Sequence, residues 1–152
     1  MTKKTLYMET TEIAAEKTAA EIVSVLVGAG ATQINTEYEG GRIIGLRWIM
    51  RVAGHDALFA MPARVEPVYK IFARRQSKTW LSEKDKATIE AKAQRVAWRQ
   101  LLRWVQAQVA MIECGMTEAG EVFFPYLQGP TGKSVFDTFK EHGIKMLEGP
   151  TQ

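Results

Sequence analysis

The sequence predicts an α+β fold, a three-stranded antiparallel meander packed by an N-terminal helix and by a long helix in the C-terminal half. Three observations predict it. Apolar residues recur at helical spacing after Thr11, strand-like runs separated by the turn signals Gly40-Gly41 and AGHD fill residues 32 to 61, and no glycine or proline interrupts residues 83 to 113. A helix, then strands, then helices places the helices on one face of a small sheet. The 152 residues are read as one domain, 1–152, large enough to bury roughly 68 to 70% of the surface its unfolded chain exposes.

The first element is TTEIAAEKTAAEIVSVLVG. Thr10 and Thr11 offer caps, Glu12 sits in the first turn, Ile13, Ile22, Val23 and Leu26 are apolar, and Gly28 supplies a stop. That is an amphipathic helix over about residues 11 to 27. TQINTEYE and RIIGLRWIMRV follow as strands joined at Gly40-Gly41, a two-residue hairpin turn. In the second strand Ile44, Leu46, Trp48, Met50 and Val52 share an apolar face, and Ile43, Gly45, Arg47, Ile49 and Arg51 share a mixed, basic one. One covered face and one partly open face are expected. AGHD makes a second turn, and ALFAM is a third strand stopped by Pro62.

RVEPVYKIFARR carries Val65, Val68, Tyr69 and Phe72 at helical spacing, with Pro67 tolerated in a first turn. After the polar connection QSKTW, Ser82 with Asp85 three residues on resembles a capping box and starts a helix over about 83 to 113. The last segment is richer in glycine and proline and contains a short helix at about 133 to 141.

On a helical wheel the apolar residues of the long helix, including Trp98 and Trp104, cover about 240°, far more than the stripe of a surface helix. The helix must be buried on two sides or meet a partner subunit. The two tryptophans lie about 120° apart, so both are assigned to packing rather than to one ligand. Lys92, Arg95, Arg99 and Arg103 occupy the remaining arc as a basic ridge. Like charges four residues apart repel, so an anion must offset them, from this chain or from a polyanionic partner.

Charge is unevenly spread along the chain. Residues 1–63, 64–103 and 104–152 carry net charges of −1, +7 and −3, which make up the whole-chain value of +3. Arg64, Lys70, Arg74, Arg75 and Lys78 precede the ridge, and Arg47 and Arg51 line the mixed sheet face. If these surfaces join, Trp80 and Tyr69 add stacking platforms, and the combination suits single-stranded nucleic acid. The candidate nucleic-acid residues are therefore Arg47, Arg51, Arg74, Arg75, Lys78, Lys92, Arg95, Arg99 and Arg103.

Chemistry is not signalled elsewhere. GPTGKS at residues 129 to 134 has Leu127 where a phosphate-binding loop needs glycine, and GAGA at 28 to 31 follows a helix instead of a strand. Two histidines, one in a predicted turn with Asp56, make neither a metal cluster nor a catalytic triad. No catalytic residue, cofactor or metal is expected. Cys114, the single cysteine, fits a reducing compartment and is expected to be a buried thiol. The start of the chain lacks the pattern of a signal peptide, and no run reaches the roughly 20 apolar residues of a membrane span, so a cytoplasmic location is expected.

AWRQLLRWVQAQVAMIECGM followed by EVFFPYL, after an N-terminal helix, Gly-Ala and a short sheet ending in proline, resembles a group of small uncharacterised proteins encoded by bacteriophages and prophages. The resemblance implies a cytoplasmic protein of an infected bacterium acting near phage DNA replication or recombination, or against host defences. It carries over no site residues. The leading expectation is a non-enzymatic, oligomeric nucleic-acid-binding accessory protein favouring single-stranded DNA. The alternatives are an interaction module or inhibitor that docks a host or phage protein, or a second copy, on the apolar face of the long helix, and a small-ligand or nucleotide binder using the 129–134 turn.

Overall fold

The computed structural model describes residues 4–149. Helix α1 (Ala15–Gly28) leads into a sheet of β1 (Thr32–Glu39), β2 (Arg42–Val52) and β3 (His55–Pro62), all antiparallel and in chain order. Helices α2 (Glu66–Arg74), α3 (Glu83–Glu113) and α4 (Ala119–Val122) follow. A 3-10 turn at Phe124–Tyr126, helix α5 (Val135–His142) and a second 3-10 turn at Gly143–Leu147 complete the chain. The architecture is the α+β meander with packed helices that the sequence predicts.

The long helix organises the interior. Ser82 caps α3 by accepting from Asp85 N–H while the Asp85 carboxylate accepts from Ser82 N–H, a reciprocal box that satisfies two otherwise orphaned donors. Its wide apolar arc is filled within the chain. One cluster joins Ile22 and Leu26 of α1 with Leu46 and Trp48 of β2 and with Trp98, Leu102 and Val105 of α3. A second joins Phe72 of α2 with Ile89, Ala93 and Val96. Trp98 is fully buried, and half-buried Trp104 packs edge-on to Phe123 and Tyr126 at 5.8 and 5.9 Å. Trp48, Phe59 and Phe123 complete an aromatic cluster, each such pair adding about 0.5–1.5 kcal/mol beyond its burial.

Four local differences from the sequence reading have physical causes. Helix α1 starts at Ala15 without a side-chain cap. The preceding segment is committed elsewhere: Tyr7 C=O accepts from Gln100 Nε2 and Leu6 N–H donates to Glu9. The apolar face of β2 is shifted by a bulge. Glu37 pairs with Gly45 and Tyr38 with Ile43, so Ile44 is an extra residue, and Ile43 joins Leu46, Trp48 and Met50 in the core. The second hairpin turn is Ala53-Gly54, both at positive φ, which moves His55 and Asp56 from the turn into β3. Cys114 is exposed, not buried, because it caps the end of α3.

Candidate nucleic-acid interface

The ridge of α3 faces the N-terminal segment and α1. Arg99 is 8% exposed and donates from one terminal nitrogen to Glu21 at 2.9 Å and to Thr18 Oγ1 at 3.4 Å. The guanidinium is buried while the Glu21 carboxylate stays partly exposed, and a buried guanidinium cannot reach a phosphate. Lys92 Nζ lies 3.7 Å from Glu9, over the Phe72 ring at 4.6 Å. Arg75 donates to the same Glu9 carboxylate and to Lys4 C=O. Glu9 is therefore the anion at this end of the ridge. The Leu6 N–H donates to it and lowers its pKa below the ordinary value, burial opposes, and the Arg75 hydrogen bond and the two cations add to the lowering. Arg103 donates to Gln106 at 3.0 Å. Arg95 has no hydrogen-bond or ion-pair partner among the described residues.

Arg47 and Arg51 lie elsewhere. Both have the parity opposite to Leu46, Trp48 and Met50, whose face packs on α1 and α3, so the sheet stands between them and the ridge. The continuous track that would join them is not formed. Arg47 Nε is 3.2 Å from Glu37 and Arg51 is 3.1 Å from Asp56, across neighbouring strands.

What remains open is the connection between α2 and α3. Trp80 is 76% exposed, more than any other large apolar side chain described, whereas Trp48 and Trp98 are fully buried. Arg74 at the end of α2, Lys78 in the connection, and Lys84 and Lys86 in the first turn of α3 are all exposed. Residues 70–86 hold six Lys/Arg and two Asp/Glu. Apart from the inward pair of Arg75 with Glu9, their ion pairs are superficial: Lys78 to Asp85 at 3.2 Å and Lys86 to Glu83 at 3.2 Å. Exposed pairs of this kind are weak in water and screened by salt. Among the described residues Arg74 donates only to Lys70 C=O. The Asp85 carboxyl is held below its ordinary pKa by the Ser82 hydroxyl, the Ser82 N–H and Lys78.

Of the nine predicted residues, Arg74 and Lys78 flank this loop, Arg75 turns inward to Glu9, Lys92 meets Glu9 and Phe72, Arg95 and Arg99 lie beside α1, and Arg103 is exposed on α3. Lys84 and Lys86 were not singled out by sequence; their one signal was proximity to Trp80. At the 129–134 turn, Lys133 pairs with Glu141 at 2.6 Å and Ser134 caps α5, so neither is directed at a nucleotide. Among the described residues no group of three or more His, Cys, Asp or Glu could hold a metal. No described helix is long and apolar enough to cross a membrane.

The molecule is thus a meander-and-helix α+β domain with a cationic loop that displays one tryptophan. Comparison with protein-family models, with curated proteins and with solved structures returns no match.

Proposed function

We propose that the protein is a non-enzymatic nucleic-acid-binding accessory protein that takes single-stranded DNA on the α2–α3 connection. The observation that carries this is Trp80, a large aromatic ring held in water amid Arg74, Lys78, Lys84 and Lys86. An exposed tryptophan costs solubility and contributes nothing to this core. Stacking on a base is worth about 1–3 kcal/mol and is indifferent to sequence, and the flanking cations neutralise the strand. Arg75 supports the loop from inside through Glu9.

Fluorescence anisotropy with labelled single-stranded and duplex oligonucleotides at two salt concentrations tests the proposal. Tighter binding of the single strand is expected, with log K falling by about 0.7 per phosphate neutralised for each unit of log salt. Absence of binding at low salt overturns it. Arg99→Met serves as a control: it removes a buried arginine and leaves affinity unchanged.

A second reading, an interaction module, is favoured by Phe136, Phe139, Ile144 and Leu147, all exposed on α5 and the turn that follows it. The apolar face of α3, expected to dock a partner, is spent on the core, and this distal patch takes its place. A stable oligomer in sedimentation that ignores both oligonucleotides would favour this reading over nucleic-acid binding.

A further inference from the structure

Two clefts, of about 450 and 290 Å³, share Pro62, Arg64 and Tyr126 and so form one bent groove between the end of β3, the middle of α3 and the start of α5. The larger arm, about 450 Å³, falls in the range of small-molecule sites. One arm is walled by Val68, Leu101 and Trp104, and the other by Met61, Pro125 and Phe136.

The charges around the groove do not cancel. Glu37 and Asp137 line it, yet each has its own cation: Arg47 at 3.2 Å for Glu37, and Lys140 at 3.3 Å for Asp137, which also accepts from Ser134 Oγ at 2.9 Å. Arg64, at the bend, has neither an ion pair nor a hydrogen bond among the described residues. We infer that the groove binds a small organic monocarboxylate with a flat apolar body, its carboxylate on Arg64 and its body against Trp104 and Tyr126. The guanidinium fork matches a carboxylate bidentately. A phosphate dianion fits less well, because Arg64 is the one cation among the described residues lining the groove and balances a single negative charge. The site is separate from the Trp80 loop and stands whether or not nucleic acid binds.

A ¹⁵N–¹H NMR titration of the whole protein with cinnamate tests this, with cinnamamide as the neutral counterpart and adenosine monophosphate as the dianion. Cinnamate is expected to shift the Trp104 indole N–H and the side-chain amides of Gln100 and Gln128, which line the two arms. Cinnamamide, adenosine monophosphate and the Arg64→Gln variant are each expected to give binding at least about tenfold weaker. Equal affinity for cinnamamide, or for the variant, overturns the role of Arg64, and tighter binding of adenosine monophosphate overturns the choice of a monoanion. Absence of shifts at about 10 mM cinnamate, where even a millimolar site is mostly filled, overturns the site itself.

Discussion

Arg99 and Trp80 invert what their surroundings in the chain suggest. Arg99 sits on the one polar arc of a long helix, where the wheel exposes it, but α1 lies across that arc and supplies Glu21 and Thr18. No local pattern contains that information, because the pairing partners are 78 and 81 residues away. Glu9 is the same case: nothing in METTE marks it as the counter-ion of Arg75 and Lys92. Its lowered pKa fixes the sign of a pH effect. A carboxyl depressed below its ordinary 4.5 stabilises the fold fully above that value and loses the contribution as pH falls through the folded-state value. Glu9→Gln is expected to lower stability at pH 7 by about 1 kcal/mol, and the gap to wild type should close on acidification. Urea denaturation across pH checks this; a gap that widens in acid would contradict the assignment.

At the scale of elements, sequence legibility follows how local the determinant is. Helix α3 was legible at both ends because its cap, length and uninterrupted pattern are all local. The first hairpin was legible from Gly40-Gly41, both at positive φ. The bulge at Ile44 was not, since alternation continues through it; its one sign is Gly45, where a Cβ would lie 2.9 Å from Met61 C=O. The second hairpin carries a misfit. Ala53 sits at φ +50, a left-handed conformation that costs an L-residue about 1–2 kcal/mol and that asparagine tolerates. Ala53→Asn, giving the favoured Asn-Gly turn, is expected to stabilise the protein by about 0.5–1 kcal/mol in thermal or urea denaturation. A loss of stability would show that the turn is not of this type.

Across the whole molecule, the basic middle third of the chain is divided by the fold. Its inward part, Arg75, Lys92 and Arg99, is neutralised by Glu9 and Glu21, and of its outward part Arg74, Lys78, Lys84 and Lys86 gather at the α2–α3 connection, while Arg64 and Arg103 stand apart. The sequence located the positive charge; it could not say which cations face water, because that depends on where α1 and the N-terminal segment lie. The same fold leaves a single tryptophan largely open to solvent, which turns intrinsic fluorescence into a site-specific reporter. Titrating the protein with a short single-stranded oligonucleotide at low salt is predicted to quench the emission of Trp80, with the quench reversed by added salt and absent in a Trp80→Phe variant. Unchanged wild-type emission, or the same quench in Trp80→Phe, would contradict the account.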